Sequence, residues 1–275
     1  YTDFNELLKD ETIDSVDICT PNYLHSIIAV AAFKAGKHVF CEKPDAVNVE
    51  EVMKMNDAAK AAGKTLMVMR NNRFTDASKL AKKFIDDGKM GEIYCGRCGW
   101  QRRRGIPGKG GWFTTKAQSG GGPLIDLGVH IIDLCRYLMG GHQPVSVYGA
   151  TFNKLGDRHE IKSEVDYKSD SRSGHDIFNV EDLASAMIRF DNGAVLQIEA
   201  SFSLNIEKDK GTIELFGTKA GAKLDPELTI YSEMNGYMTN VELATPTALS
   251  FEGLFENEIN HYVDCVLNGG ECRNP

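Results

Sequence analysis

A histidine and an aspartate one helical turn apart, within an otherwise apolar segment, are the residues whose types and spacing most directly suggest chemistry. On a helical wheel of Leu124–Met139, the polar residues Asp126, His130, Asp133 and Tyr137 fall on one stripe roughly 60° wide. A helix that is apolar over most of its surface is normally buried. Two interpretations stay open: the stripe is satisfied inside a core, or it faces a cleft that holds a polar partner.

Lys43 is a second candidate, because it directly follows a predicted strand, His38–Cys41, and precedes Pro44. In open parallel sheets, ligands bind beyond the carboxyl ends of the strands. The proline restricts Lys43 to extended backbone geometry, so its side chain can project into a crevice at that edge. Taken alone, the same residue is more simply an ordinary surface lysine.

The segment Thr20-Pro21-Asn22 follows another predicted strand, Ser15–Cys19. It stands where a helix begins, and the free N–H groups and dipole of a helix N-terminus favour anions. Asn22 is also a residue type that caps helices. The sequence therefore predicts an anion contact, a helix cap, or both at this strand end.

Helices and strands alternate over the first 73 residues. The predicted helices begin at Asn22 and Asn48 and end at Gly36 and Gly63, and a third strand covers Thr65–Met69. Strands separated by helices of this length imply βαβ units and a parallel sheet.

The pattern changes after a linking helix predicted over Asp76–Asp87. In Ala194–Leu204 every even-numbered residue is apolar, which is the period of a strand with one buried face. Asn192-Gly193 and Asn235-Gly236 are hairpin signals. The other predicted elements are a charged insertion at 154–180, a final helix at 251–267, and strands near 92–103, 145–152, 182–190, 194–204, 211–217, 227–233 and 237–244.

These patterns predict two domains. Residues 1–74 form an α/β unit with a parallel sheet, and residues 75–275 form an α+β unit with a large, mostly antiparallel sheet. Leu183, Met187 and Val195 would lie on the outer face of that sheet. Because both faces carry apolar residues, we expect a homodimer or homotetramer formed through the large sheet.

Composition excludes several classes of function. The chain has 275 residues and a net charge of −8, without a basic stripe, so nucleic acid is not an expected partner. It has no apolar stretch of the roughly 18 residues that a membrane helix needs. Seven scattered cysteines indicate a reducing compartment, and we expect a cytoplasmic protein. The Cys95–Cys98 pair falls on a predicted strand without a second pair, so no metal site is predicted.

Three segments together resemble the glucose–fructose oxidoreductase/inositol dehydrogenase (Gfo/Idh/MocA) family. They are VDICTPNYLHSIIAVAAFKAGKHVFCEKP (16–44), MVMRNNRF (67–74) and GGGPLIDLGVHIIDL (120–134), and they occur in the family's order. The similarity runs through essentially the whole chain. It implies a Rossmann-type dinucleotide-binding domain followed by an open-faced sheet domain, and an NAD- or NADP-dependent oxidoreductase.

The resemblance also implies roles for the stripe. Lys43, Asp126 and His130 would surround the carbon that exchanges hydride with the nicotinamide. His130 would be the acid/base for the substrate hydroxyl, a task that suits an unperturbed histidine pKa near 6.5. Lys43 would stabilise negative charge on the same oxygen. Asp126 would orient the imidazole or hold a neighbouring substrate hydroxyl, whereas Asp133 and Tyr137 are interpreted as structural hydrogen-bonding residues.

Cofactor contacts are implied in the same way. The resemblance places Thr20, Pro21, Asn22 and His25 beside the dinucleotide. It places two further pairs near the nicotinamide ribose: Glu42 with Lys43, and Asn72 with Arg73.

Substrate contacts are predicted from residue types between the linking helix and the stripe. Trp100, Arg102, Arg104 and Trp112 combine flat aromatic surface with fixed donors, which suits a sugar or polyol. Structural packing is an equal alternative for each of them. The arginines also suggest a carboxylate or phosphate on the substrate.

The sequence departs from the family at its start. The strand, glycine-rich pyrophosphate turn, helix and second strand that open the family's first domain do not precede Tyr1. The C-terminal end at Pro275 also breaks off abruptly. We therefore expect an interior part of a longer enzyme that binds NAD(H) and NADP(H) negligibly alone and regains binding with roughly 70 upstream residues.

The expected activity is oxidation of a secondary hydroxyl of a sugar, polyol or related small molecule, or reduction of the matching ketone. One alternative is a redox-assisted glycoside-cleaving or epimerising relative, in which hydride leaves and returns. Another is a non-catalytic regulator that senses a dinucleotide or a sugar. Lys43, Asp126 and His130 together argue against the regulator, because a sensor does not need a proton-transfer set.

Overall fold

The computed structural model describes residues 1–158, 177–244, 253–270 and 272–273. Its first unit is a three-stranded parallel sheet in the order β1-β2-β3, with helices α2 and α3 packed together through Phe33, Val39 and Met55. The elements of this unit are α1 (Phe4–Leu7), β1 (Ser15–Ile18), α2 (His25–Lys34), β2 (His38–Cys41), α3 (Val49–Ala62) and β3 (Leu66–Val68). The predicted βαβ pattern is thereby confirmed.

The ends of these helices follow the predicted signals in all but one case. Asn48 accepts the N–H of Glu51 at the start of α3, and Gly63 ends that helix in the left-handed conformation. Asn22 does not cap α2: a short 3-10 turn precedes the helix, and the Asn22 amide donates to the Ser119 carbonyl at 2.8 Å. The prediction of a helix cap was wrong, because this buried amide is bonded to the second unit instead.

The second unit is an eight-stranded sheet in the order β11-β10-β9-β8-β4-β7-β6-β5. Strands β4 and β7 are parallel, and every other neighbouring pair is antiparallel. Its strands are β4 (Ile93–Gln101), β5 (Pro144–Phe152), β6 (Leu183–Phe190), β7 (Val195–Ser201), β8 (Lys210–Gly217), β9 (Gly221–Lys223), β10 (Thr229–Met234) and β11 (Tyr237–Glu242). Among the described strands of this sheet, the sequence analysis missed β9, whose three residues are too few to show a period.

Helices α4 (Asp76–Asp86), α5 (Lys116–Ser119) and α6 (Val129–Leu138) belong to this unit. Helix α7 (Leu254–Asn268), which the sequence analysis assigned to the second unit, packs instead on the first, where Tyr262 stacks on Phe40 of β2 with the ring centroids 4.8 Å apart. Helix α6 covers the inner face of the sheet, where Ile131 and Leu134 pack against Leu196 and Ile198. The helix predicted from residue 124 begins instead with one π-helical turn, Leu124–Gly128, which carries Asp126. Such turns are frequent at functional sites.

Two predicted elements are only partly described. Most of the charged insertion at 154–180 and the first two residues of the final helix at 251–267 lie outside the described residues. Within the described part of the chain, no helix is both long and apolar enough to cross a membrane.

Candidate functional site

The centre of the candidate site is an ion pair between the two units. The Lys43 Nζ lies 2.8 Å from Oδ1 of Asp126 and 3.1 Å from its carbonyl oxygen. The lysine comes from the loop after β2, where the Lys43–Pro44 peptide is cis, and the aspartate comes from the π-helical turn before α6. The two side chains are 19% and 13% exposed, so water screens the pair less than it screens an ordinary surface salt bridge.

His130 lies one helical turn beyond Asp126 and lines a small cavity together with Lys43, Asn72 and Arg70. The Trp100 ring rests against the imidazole, with the ring centroids 5.9 Å apart. Burial, and then the positive charge of Lys43, lower the pKa of His130 to about 3. The expected unperturbed value near 6.5 is therefore wrong, because desolvation penalises the imidazolium. A neutral imidazole at physiological pH can act as a proton acceptor.

Asp133 and Tyr137, which continue the stripe, are engaged by arginine. Arg73 donates to both carboxylate oxygens of Asp133, at 2.7 and 2.5 Å, and its guanidinium lies 4.9 Å from the Tyr137 ring centroid. The structural interpretation of Asp133 is confirmed, whereas Tyr137 contacts the guanidinium through its ring. Of the two residues expected near the nicotinamide ribose, Asn72 lines the cavity with Lys43, and Arg73 is held by Asp133.

His25 connects the loops that follow β1 and β2. Its ring is fully buried, with Nδ1 2.8 Å from the Pro44 carbonyl oxygen and Nε2 2.9 Å from that of Thr20. Both ring nitrogens thus lie within hydrogen-bond distance of backbone carbonyl oxygens. The expected place of His25 beside the dinucleotide stays a prediction. The imidazole braces the backbone on both sides of the strand ends, including the residue after Lys43.

Other polar groups at this edge suit a dinucleotide. Glu42 accepts the backbone N–H of Lys43 at 3.0 Å, and Pro21 begins the 3-10 turn after β1. The hydroxyl oxygen of Thr20 and the amide oxygen of Asn71 are buried without a hydrogen-bond partner among the described residues. Buried polar atoms are normally satisfied, so two such atoms beyond β1 and β3 are consistent with a polar ligand at this edge.

The residues predicted to bind a sugar have different surroundings. Arg104 is held by the carbonyls of Arg103 and Leu204 and by the Asn205 side chain, which supports its structural alternative. Trp112 stacks on the ring of the next residue at 3.7 Å between centroids. Trp100 touches His130, and the Arg102 guanidinium lies 5.8 Å from the Trp100 ring centroid. Trp100 and Arg102 are therefore the members of this set nearest the ion pair.

Sequence reasoning missed a residue that holds the start of the segment that carries Asp126. The Glu181 carboxylate accepts the backbone N–H of Gly122 at 2.9 Å and that of Leu124 at 3.3 Å. It thereby satisfies donors at the beginning of the π-helical turn that carries Asp126. No local pattern could reveal this contact, because Glu181 is 57 residues from Leu124.

Arg70 was missed as well. Its guanidinium bonds Asp45 at 2.6 Å and reaches Asp133 at 3.3 Å, so it links the loop after β2 to α6. Arg70 also lines the cavity beside His130. Its place in the quoted MVMRNNRF segment was the one available signal.

Comparison with known proteins identifies relatives over both units. Residues 1–70 match a family model described as "Oxidoreductase family, NAD-binding Rossmann fold", and residues 78–223 match the "GFO/IDH/MocA C-terminal domain". D-glucoside 3-dehydrogenase of Escherichia coli (strain K12) is 37% identical over 224 residues, which cover 81% of this chain and 62% of that protein. Levoglucosan dehydrogenase of Pseudarthrobacter phenanthrenivorans is 36% identical over 225 residues, covering 79% and 57%.

A solved structure of levoglucosan dehydrogenase in complex with NADH and levoglucosan superimposes with a TM-score of 0.82 at 28% identity, covering 98% of this chain and 75% of that one. The chain spans about three fifths of the length of the curated relatives it matches. Both family models fall on the segments that supply Lys43 on one side of the ion pair and Asp126 on the other. The chain belongs to the Gfo/Idh/MocA family of oxidoreductases.

Proposed function

We propose that this chain is an NAD(P)-dependent oxidoreductase acting on a secondary hydroxyl, or the matching ketone, of a sugar, polyol or related small molecule. The observation that carries the proposal is the Lys43–Asp126 ion pair, with His130 on the same cavity. A cation, a carboxylate and a neutral imidazole converge beyond the carboxyl ends of a parallel sheet, where ligands of such folds bind. The activities named for the relatives, on a glucoside, levoglucosan and myo-inositol, support the substrate class.

NAD or NADP is the proposed cofactor, and its nicotinamide would accept or supply the hydride. Thr20, Pro21 and Asn22 would lie along it beyond β1. Glu42, Lys43 and Asn72 would lie at the nicotinamide end. The unpartnered Thr20 hydroxyl supports this placement, because a bound dinucleotide would supply the hydrogen-bond partner that the described residues do not.

The side chains then have separable tasks during oxidation. Neutral His130 accepts the proton of the substrate hydroxyl, and its low pKa keeps the imidazole in that neutral form across the physiological range. The Lys43 ammonium stabilises negative charge as it develops on the same oxygen. Asp126 holds the ammonium at 2.8 Å, in addition to the two roles predicted for it, orienting the imidazole or holding a neighbouring substrate hydroxyl. The Trp100 ring packs against the imidazole and keeps it in place.

A panel of sugars and polyols tests this function in the intact protein, with NADH and NADPH production followed optically. An oxidised product and reduced cofactor in a 1:1 ratio would support the proposal. A cleaved or epimerised product without net cofactor reduction would show the hydride-returning alternative. Ligand binding without any turnover would show a sensor, and either result would contradict simple dehydrogenation.

The depressed pKa of His130 predicts the acid side of the pH profile. A base must be deprotonated to accept a proton, so a pKa near 3 keeps His130 competent as pH falls from 8 to about 5. A histidine at 6.5 would lose activity tenfold per unit below that value. We measure kcat/KM for oxidation at saturating cofactor. Above about pH 5, we expect no decrease in kcat/KM that is caused by protonation of His130.

Glu258 is the matched control for that profile. Burial raises the pKa of this α7 carboxyl to about 7, so it titrates inside the measured window. The profile is therefore repeated in Glu258→Gln. A limb near 6.5 that persists in this variant would contradict the low His130 pKa.

We propose that two copies of the chain associate through the outer face of the large sheet, as a homodimer or a dimer of dimers. A row of paired residues crosses that face from β5 to β8: Tyr148, Met187, Gln197, Arg97 and Glu214. Tyr148 and Met187 are 83% and 44% exposed at its apolar end. A second copy is the occupant suited to a face that mixes apolar residues with both charges.

We place the protein in the cytoplasm, which its seven free thiols support.

Sedimentation of the intact protein at micromolar concentration tests the assembly. Met187→Glu should shift it toward the monomer, because a charge would be buried without a partner. Met53→Glu, at an exposed position of α3, is the matched control and should leave the distribution unchanged. A wild-type monomer, or equal effects of the two substitutions, would contradict the proposed interface.

A further inference from the structure

Three consecutive arginines follow β4, and their side chains have different roles. Arg103 donates to the Glu207 carbonyl, and Arg104 donates to the Leu204 carbonyl and to Asn205. Both guanidinium groups are therefore hydrogen-bonded to the loop after β7. The Arg102 guanidinium instead lies 5.8 Å from the ring centroid of Trp100, the residue whose ring contacts His130.

The Arg102 side chain lies in a shaped groove. One Nη donates to the Gly105 carbonyl at 3.0 Å, and the guanidinium faces the Trp100 ring. A Cβ on Gly105 would fall 2.5 Å from Cδ of Arg102, so only glycine lets the aliphatic part lie this close. Trp100 packs on a core cluster that includes Ile106. The guanidinium is thus positioned by the fold, and its other N–H donors have no partner among the described residues.

The charges around His130 leave Arg102 without a counterion. Lys43, Arg70 and Arg102 all lie close enough to depress the pKa of the imidazole. Asp126 neutralises Lys43, and Arg70 is neutralised by two carboxylates, those of Asp45 and Asp133. Among residues 1–158, 177–244, 253–270 and 272–273, no carboxylate pairs with Arg102. The site therefore retains one uncompensated positive charge beside the proposed base.

We propose that Arg102 binds an oxyanion carried by the substrate, so that the preferred sugar or polyol bears a carboxylate or a phosphate group. This inference rests on the proposed function and narrows its substrate class. A planar guanidinium with free donors matches two oxygens of either group. Such charge-assisted hydrogen bonds are stronger than those between neutral groups. The neighbouring Trp100 would supply the flat surface against which the sugar ring packs.

Binding of three probes to the intact protein, measured by calorimetric titration at low salt, tests the inference without turnover. The probes are glucose, glucuronate and glucose 6-phosphate, which share a ring and differ in having no charge, a carboxylate or a phosphate. We expect one of the two anions to bind about 10- to 100-fold more tightly than glucose. The anion that binds more tightly shows whether the preferred oxyanion is a carboxylate or a phosphate.

Arg102→Gln should abolish that preference. Arg102→Lys should retain part of it, because lysine keeps the positive charge but lacks the planar pair of N–H donors. Arg103→Gln is the matched control: it removes the same charge one residue away and should leave the preference intact. Thermal melting identifies a variant that does not fold, in which case the Arg102→Lys result decides. Equal affinity for all three probes, or a preference that Arg102→Gln leaves unchanged, would overturn the inference.

The same samples separate this inference from the proposed function. An anion bound through Arg102 without NADH or NADPH formation from any probe would uphold the oxyanion site and contradict the dehydrogenase. Reduced cofactor formed equally from glucose and from both anions would uphold the dehydrogenase and overturn the oxyanion site.

Discussion

Replacing His130 by alanine or Lys43 by methionine in the intact enzyme is expected to lower kcat by about 100-fold or more. A positioned acid/base typically contributes a factor of this size. Lys43→Met keeps the length and apolar body of the side chain but removes the charge that we propose faces the substrate oxygen. It also leaves the Asp126 carboxylate without its partner at 2.8 Å, so we expect the larger loss for Lys43. Single-turnover kinetics at saturating cofactor measure the chemical step directly.

Matched surface substitutions control for general effects. His142→Ala removes a histidine paired with Asp191 away from the cavity, and Lys54→Met removes an exposed lysine paired with Glu51. Both should turn over like the wild type. Cofactor affinity should change little in His130→Ala. Wild-type turnover by either cavity variant would show that the assigned roles are wrong.

The sequence was informative wherever one local period places a residue. The 3.6-residue period put Asp126 and His130 on one stripe, and the alternation of β7 assigned its even-numbered residues to the buried face, as the structure has them. The strand before Lys43 was likewise visible from a short apolar run. Local patterns therefore reached the fold class and the polar residues Lys43, Asp126 and His130, but not Arg70, which lines the cavity with Lys43 and His130.

What the sequence could not supply are pairings and electrostatics. Lys43 and Asp126 are 83 residues apart, and Arg73 and Asp133 are 60 apart, so no period connects them. A reference pKa gave no sign of the desolvation that His130 undergoes. The resemblance placed His25 beside the dinucleotide, but it gave no sign that both ring nitrogens lie within hydrogen-bond distance of backbone carbonyls.

The three consecutive glycines before the π-helical turn also show what a local pattern predicts and what it does not. Their letters indicated a turn, but only the structure shows what surrounds each one. Gly120 has a positive φ of 86° and lies against the Val47 carbonyl of the first unit. A Cβ on Gly121 would lie 3.3 Å from an Ile125 methyl group, whereas a Cβ on Gly122 would come within 2.1 Å of the Glu181 carbonyl oxygen. A side chain has no room at Gly120 or at Gly122, and at Gly122 the close approach alone, without a positive φ, excludes it.

Gly122→Ala is accordingly expected to be strongly destabilising. The added methyl overlaps a backbone oxygen that cannot rotate away, so the chain must shift at the point where Glu181 holds two backbone N–H groups. Overpacking of this kind, together with weakened hydrogen bonds, costs about 3 kcal/mol. We expect the melting temperature to fall by about 5–10 °C and kcat to fall with it, because the shifted turn carries Asp126.

Gly121→Ala is the matched control, one residue away in the same turn. Its nearest neighbour would be the Cγ2 methyl of Ile125 at 3.3 Å, a contact that a shift of a few tenths of an ångström relieves. We expect its melting temperature to stay within about 2 °C of the wild type, with kcat unchanged. Scanning calorimetry and kcat measured on the same preparations decide the comparison. If Gly122→Ala melted and turned over like Gly121→Ala, the Glu181 contact would not be what positions Asp126 against Lys43.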